Sequence, residues 1–150
     1  MQEIRPGEVA VDLPDRFEAS LYFIGRIRTP YPRREDCPRQ ASIDGPECQI
    51  EVFAPWVAAL EGMESLSHLD VLYWLDQSRR DLVRQSPRHT GAASGTFALR
   101  SPVRPNPIGL ARVRLVRVEG PVLTVRSLDC IDGTPLVDIK PERCPNADGA

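Results

Sequence analysis

Residues 110–128, Leu-Ala-Arg-Val-Arg-Leu-Val-Arg-Val-Glu-Gly-Pro-Val-Leu-Thr-Val-Arg-Ser-Leu, decide the fold class of this chain. They read as two β-strands, 110–119 and 122–128, joined by the turn Glu119-Gly120-Pro121. Working back toward the N-terminus, 95–100 reads as another strand, 79–91 is basic without a clear assignment, and 67–75 is a largely apolar, buried strand. Pro55 opens a short helix over 55–60, 48–53 alternates as a strand, and 21–28 is rich in β-formers and stops at Thr29-Pro30. Residues 30–47 hold Pro30, Pro32, Pro38, Gly45 and Pro46 and form a long loop, a length associated with function or disorder inside a compact domain. Toward the C-terminus, 136–139 is a final short strand that ends at Pro141. Many short strands beside one helix predict a mainly β domain with a closed or strongly curved sheet rather than an α/β sandwich. Residues 1–18 read as an irregular acidic leader, 19–145 as the β domain and 146–150 as a tail.

At 150 residues, 41% hydrophobic and 27% charged, the chain has the composition of one globular domain. Folding at this size buries about two-thirds of the unfolded surface, so no staple is needed. No apolar run of about 18 residues exists, and the N-terminus is acidic and broken by prolines; transmembrane and secretory readings both fail, and a cytoplasmic protein is expected. Cys37, Cys48, Cys130 and Cys144 are widely spaced, with no Cys-x-x-Cys pair and only His68 and His89 as imidazoles. That spacing argues against a metal site and for inert thiols in a reducing compartment.

The net charge of −2 conceals an uneven distribution. Eighteen of the 19 basic residues are Arg, the other being Lys140. Residues 40–78 contain seven acids and no Lys or Arg, whereas 79–117 contain nine Arg against the single acid Asp81, a block of +8. Such a block is either a solvated face or a footprint for phosphate, which Arg suits through its bidentate and stacking geometry.

The glycines form no Gly-x-Gly-x-x-Gly and no Gly-Lys-Ser/Thr sequence, so neither a Rossmann nucleotide site nor a P-loop is written here. Gly-x-Ser-x-Gly and His-Glu-x-x-His are absent too, which removes the usual signatures of acyl transfer and metalloproteolysis. Three loops stand out instead. Thr29-Pro30-Tyr31, with Cys37-Pro38-Arg39-Gln40, sets a cation and an amide side by side on a proline-stiffened loop. In Arg104-Pro105-Asn106-Pro107-Ile108-Gly109, two prolines fix their own φ and hold the preceding residues extended. Leu128-Asp129-Cys130-Ile131-Asp132-Gly133-Thr134-Pro135 places an Asp-Gly turn between two strands.

Taken with Ile24-Gly25-Arg26-Ile27-Arg28, Leu60-Glu61-Gly62, Ser67-His68-Leu69 and Thr96-Phe97-Ala98-Leu99-Arg100-Ser101-Pro102, these words resemble the tRNA N6-methyltransferases of the TrmO type, also called TsaA or YaeB-like. The resemblance spans residues 24–141. It implies a single small β-barrel-like methyltransferase domain, non-Rossmann, with few short helices. It also implies S-adenosylmethionine as cofactor, threonylcarbamoyladenosine next to the tRNA anticodon as acceptor, and a homodimer with the cofactor near the subunit interface.

On this resemblance Pro38, Arg39 and Gln40 match the family's cofactor-binding tripeptide. Leu75, Asp76 and Gln77, at the end of the buried strand, and Asp129, Cys130, Ile131 and Asp132 match its other cofactor contacts. Strand-end capping is the competing role for Asp129, and a hydrogen-bonded core position the expected one for His68. A carbamoyl-substituted N6 is a poor nucleophile, which leaves Asp76, Asp129 and Asp132 as candidate bases, provided burial raises the pKa of one of them. Arg88, Arg100, Arg104 and Asn106 are the candidate RNA contacts, as exposed polar groups holding phosphate or a flipped adenine.

The chain departs from the family pattern in two places. Where many members carry an Arg shortly before the Gly-x-Phe strand, it has Ala92-Ala93-Ser94, with Arg88 as the nearby substitute. Where an aromatic follows Lys-Pro it has Glu142, and the additional C-terminal domain of some relatives is not expected. Two other functional classes remain open at this point: a methyltransferase acting on a small molecule or protein, which needs no basic block, and a non-catalytic RNA-binding module, which needs no cofactor loops.

Overall fold

Alternation between core and solvent builds the strands. In strand β2, Gly25–Arg28, Gly25 and Ile27 are buried while Arg26 and Arg28 face water. In β3, Glu47–Val52, the buried set is Cys48, Ile50 and Val52, and in β4, His68–Trp74, it is Leu69, Val71 and Tyr73. This two-residue period matches a pleated strand with one face inward. The computed structural model describes residues 3–143. Strands β7, Ile108–Glu119, β8, Val122–Arg126, and β9, Pro135–Pro141, complete a closed barrel in the order β2-β3-β8-β7-β4-β9. Gly25 pairs with Val52 on one side and Leu136 on the other, which closes the ring at β2. Ile27, Ile50, Leu69, Val71, Val113, Leu123, Val125 and Leu136 are wholly buried and form its core. Closure leaves no exposed sheet edge.

The contacts divide the chain into two compact units: the barrel unit, residues 21–74 with the chain from 109 on, and a second unit of residues 1–20 and 75–108. The second unit holds a three-stranded antiparallel sheet in the order β1-β5-β6, with β1 at Val9–Ala10, β5 at Leu82–Gln85 and β6 at Ser94–Gly95. Its centre is a buried polar clamp. Gln85 Nε2 donates to Thr96 Oγ1 at 2.9 Å and to the Val103 carbonyl at 2.7 Å, while Thr96 Oγ1 donates to the Leu82 carbonyl at 2.7 Å. Buried amides and hydroxyls are tolerated when satisfied in this way.

The expected closed, mainly β, non-Rossmann fold is the fold observed, with local differences. No α-helix occurs among the described residues; the expected helix at 55–60 is a 310 turn, Val57–Leu60. The expected strand at 21–28 starts only at Gly25, because Leu21, Tyr22 and Phe23 lie exposed, the latter two against the rings of Trp56 and Trp74. The expected strand at 95–100 becomes β6 followed by a 310 turn, Thr96–Ala98, since the Thr96 hydroxyl is drawn into the buried clamp. Strand β8 stops at Arg126, short of 128, where Ser127 takes a left-handed φ of 85° and turns the chain. Within 79–91, left unassigned from sequence, lies β5. Residues 1–18 are largely irregular, but residues 9–10 pair with β5, and Val11 N donates to the Asp81 carbonyl at 2.8 Å. The tail 146–150 and Cys144 lie outside the described residues.

Candidate functional site

In the barrel unit, two of the loops singled out from sequence are stitched together. Thr29 N donates to Asp132 Oδ1 at 3.1 Å, Thr29 Oγ1 donates to the Cys130 carbonyl at 2.8 Å, and Asp132 N donates to the Tyr31 carbonyl at 2.8 Å. Gly133 N donates to the Ile27 carbonyl, and Gly133 itself has a φ of 84°, the left-handed value an Asp-Gly turn requires. Thr134 Oγ1 closes the same turn by donating to the Ile131 carbonyl at 2.6 Å. The segment from Asp129 to Asp132 is therefore held at both ends before any ligand arrives.

Asp129 is the best-placed carboxylate of this loop. It is half-buried, and its Oδ1 accepts the hydroxyl hydrogen of Tyr73 at 3.2 Å. Its Oδ2 accepts no hydrogen bond among the described residues. Burial pushes the Tyr73 hydroxyl far above its ordinary range, with the charge of Asp129 adding to the effect, so the phenol stays a donor. Desolvation likewise raises Tyr31 and Cys37, and the negative charge of Asp129 adds to both shifts. Cys37 directly precedes Pro38-Arg39-Gln40 in sequence. Arg39 and Gln40 are exposed and have no side-chain partner among the described residues. Burial pushes the Cys130 thiol up to about 12 and raises Cys48 in the same direction, leaving both as neutral packing groups.

The three candidate bases are not equivalent. Asp76 and Asp132 are exposed, whereas Asp129 is half-buried. Asp132 serves instead as a tie, accepting from Thr29 N and standing 4.0 Å from Arg28 Nη1. Asp129 is the one withdrawn from water. It fits a ligand with hydroxyls, an ammonium or another cationic centre, because one oxygen is fixed by Tyr73 and the other is available.

In the second unit, Leu75 is half-buried and its N donates to the Pro107 carbonyl at 2.8 Å, while Asp76 and Gln77 are exposed in the turn that follows. The Arg-Pro-Asn-Pro loop is braced from three sides. Gln85 holds the Val103 carbonyl, Arg104 Nη1 donates to the carbonyls of Leu99 and Ser101, each at 2.9 Å, and Arg80 donates to the Pro105 carbonyl and, at 3.1 Å, to Asn106 Oδ1. Arg104 is thus half-buried rather than exposed, which corrects the expected exposure of that side chain. Asn106, Arg88 and Arg100 are exposed as expected.

The basic block is also redistributed. Arg112 pairs with Asp70 and Glu142, Arg117 with Glu47 and Glu119, and Arg79 with Asp81. Arg84, Arg88 and Arg100 are exposed and form no ion pair among the described residues. Glu142, at the position where the family pattern has an aromatic, completes a surface network with Arg112 and, at 3.9 Å, His68. His68 Nδ1 also meets Ser67 Oγ at 3.1 Å, a hydrogen-bonded position, though only partly buried.

Sequence reasoning assigned no role to Tyr73, Gly109 or Arg80. The available signal for Tyr73 was a phenol at an inward position of an apolar strand, where the hydroxyl must find a partner. Gly109 ends the Arg-Pro-Asn-Pro-Ile-Gly word because the Tyr73 ring lies against it; a Cβ there would overlap the ring.

Comparison with known proteins places these features in context. Residues 26–148 match the family model for the tRNA-methyltransferase O N-terminal domain. A probable S-adenosyl-L-methionine-binding protein, VirR, of Rhizobium radiobacter is 54% identical over 140 residues, covering 93% of this chain and 80% of that one. The tRNA (adenine(37)-N6)-methyltransferase of Escherichia coli is 39% identical over 129 residues, which is 79% of this chain and 55% of the enzyme. The crystal structure of TrmO from Pseudomonas aeruginosa superposes with a TM-score of 0.68 at 35% identity, over 89% of this chain and 60% of that one. The chain therefore spans most of the first relative's length but less than two-thirds of the other two.

Proposed function

The chain belongs to the tRNA-methyltransferase O family, and from that premise we propose that it is an S-adenosylmethionine-dependent methyltransferase. Its acceptor is N6 of the adenine at position 37 of tRNA, in the threonylcarbamoyl-substituted form. The names of the Rhizobium and Escherichia relatives support the cofactor and the tRNA adenine. The observation that carries the reading is the stitched loop around Asp129. A preorganised carboxylate, oriented by Tyr73 on a loop tied to Thr29, suits the polar groups of S-adenosylmethionine.

When bound, that cofactor supplies an electrophilic methyl group. The work left to the chain is alignment and proton removal. Rigid loops favour alignment because in-line methyl transfer draws much of its acceleration from positioning. In this reading Pro38, Arg39, Gln40, Leu75, Asp76, Gln77, Asp129, Cys130, Ile131 and Asp132 are the cofactor contacts. Asp129, the withdrawn carboxylate, is the group that takes the N6 proton. Arg88, Arg100, Arg104 and Asn106 hold the RNA, and Arg104 also braces the Arg-Pro-Asn-Pro loop through the carbonyls of Leu99 and Ser101.

A homodimer and a cytoplasmic location belong to the same reading. Apolar side chains left in solvent, Leu21 at 50% and Tyr22 at 78% exposed, supply surface for a subunit contact. Among the described residues no helix is long and apolar enough to cross a membrane. Two measurements test the proposal: calorimetric titration with S-adenosylmethionine in excess chelator, and transfer of labelled methyl to tRNA. Saturable binding with transfer supports it. Binding with transfer to a protein or small molecule instead contradicts the tRNA assignment, and absence of binding at millimolar cofactor contradicts the whole.

A further inference from the structure

Phe97 is 82% exposed, an unusual position for a phenyl ring in a turn that is otherwise tightly held. Thr96 beside it is 3% exposed, with its hydroxyl bound to the Leu82 carbonyl and receiving the Gln85 amide. Leu99 N closes the turn onto the Thr96 carbonyl at 3.1 Å, and the Leu99 carbonyl is held by Arg104. The backbone on both sides of Phe97 is thus fixed while its side chain stands in water. The pairing Arg84↔Gly95 sets an exposed guanidinium opposite the residue two positions before Phe97. Arg100 follows three positions later, and Arg88 lies beyond β5. Between Asp81 and Glu119 the sequence contains no acid.

A rigid, exposed aromatic in an acid-free, Arg-bearing stretch has the composition of a single-stranded nucleic-acid surface, where bases stack on rings and cations meet the backbone. We propose that Phe97 is the stacking surface for an unpaired nucleobase of the tRNA anticodon loop, with Arg84, Arg88 and Arg100 meeting the flanking phosphates. This rests on the tRNA reading above. The charge of the stretch favours RNA over a second copy of the chain, whose matching face would bring the same cations together.

The test compares the full chain with Phe97→Ala and Phe97→Trp, using a tRNA anticodon stem-loop that carries 2-aminopurine in its loop. Loss of one stacked base weakens RNA affinity by about 5- to 150-fold. That loss is expected for Phe97→Ala, together with loss of 2-aminopurine quenching, an unchanged salt slope and unchanged S-adenosylmethionine affinity; Phe97→Trp retains binding. Circular dichroism checks that both variants fold. Wild-type affinity in Phe97→Ala overturns the inference alone, and so does a fall from dimer to monomer in that variant, which assigns the ring to a subunit contact. A wild-type protein that binds no tRNA overturns the tRNA reading as well.

Discussion

Tyr73 donates its hydroxyl hydrogen to Asp129 across 3.2 Å, joining an inward position of β4 to the loop after β8, 56 residues apart in sequence. The ring that carries this hydroxyl lies against Gly109, so Gly109 and the Asp129 loop meet the same side chain. Burial holds the phenol protonated, which makes Tyr73 a permanent donor and gives Asp129 one fixed orientation.

Tyr73→Phe keeps the ring and removes the donor. A hydrogen bond to a charged group contributes about 1.5–3 kcal/mol. We expect S-adenosylmethionine affinity to fall about tenfold by calorimetry, with the barrel still folded. Unchanged affinity would detach Asp129 from cofactor binding.

Gly109→Ala drives a methyl group into the Tyr73 ring. Overpacking of this kind costs about 1–3 kcal/mol, read as a lower denaturant midpoint. The double variant Gly109→Ala, Tyr73→Leu should recover part of that loss, since the obstructing ring is gone; no recovery would place the strain elsewhere.

Arg104 and Arg88 should separate cleanly. Arg104→Ala deprives the carbonyls of Leu99 and Ser101 of a donor and should lower Tm. Arg88→Ala should leave Tm unchanged and reduce the slope of log affinity for tRNA against log salt by about 0.7 for each phosphate that is no longer neutralised. Equal salt slopes for wild type and Arg88→Ala would remove Arg88 from the RNA surface.

Acid stability should centre on Glu8 and Asp81. Hydrogen bonds from Arg5, its backbone N foremost, hold the Glu8 carboxyl below its ordinary range, and Arg79 does the same for Asp81. Both groups have a lower pKa folded than unfolded. Their contribution is therefore complete above the ordinary carboxylate range and is lost as pH falls below about 4. Melting curves from pH 7 to 3 should show a shallower acid limb for Glu8→Gln than for wild type, from a lower starting Tm. Parallel limbs would exclude Glu8 as a contributor.

The barrel was legible in the sequence as short runs of β-formers bounded by turn residues, such as 110–119 and 122–128, whereas the inward face of Leu69, Val71 and Tyr73 was hidden in the continuous apolar run 71–75. Thr96 was misread as strand because its β-propensity says nothing of the distant Gln85 amide that captures its hydroxyl. The +8 block was visible as a count. Which of its cations meet carboxylates was not, since Asp70, Glu47 and Glu142 reach Arg112 and Arg117 only across the closed sheet. The loops proposed to hold the cofactor were legible as family words. The tie between them runs through Thr29, Asp132 and Tyr73, and no local pattern announces contacts at such separations.

Nucleoside mass spectrometry of tRNA incubated with this protein and S-adenosylmethionine tests the central claim most directly. The account predicts that threonylcarbamoyladenosine at position 37 gains one methyl group on N6, with Asp129→Asn abolishing the gain while tRNA binding persists. A methyl group found at any other nucleoside, or full turnover in Asp129→Asn, would contradict it.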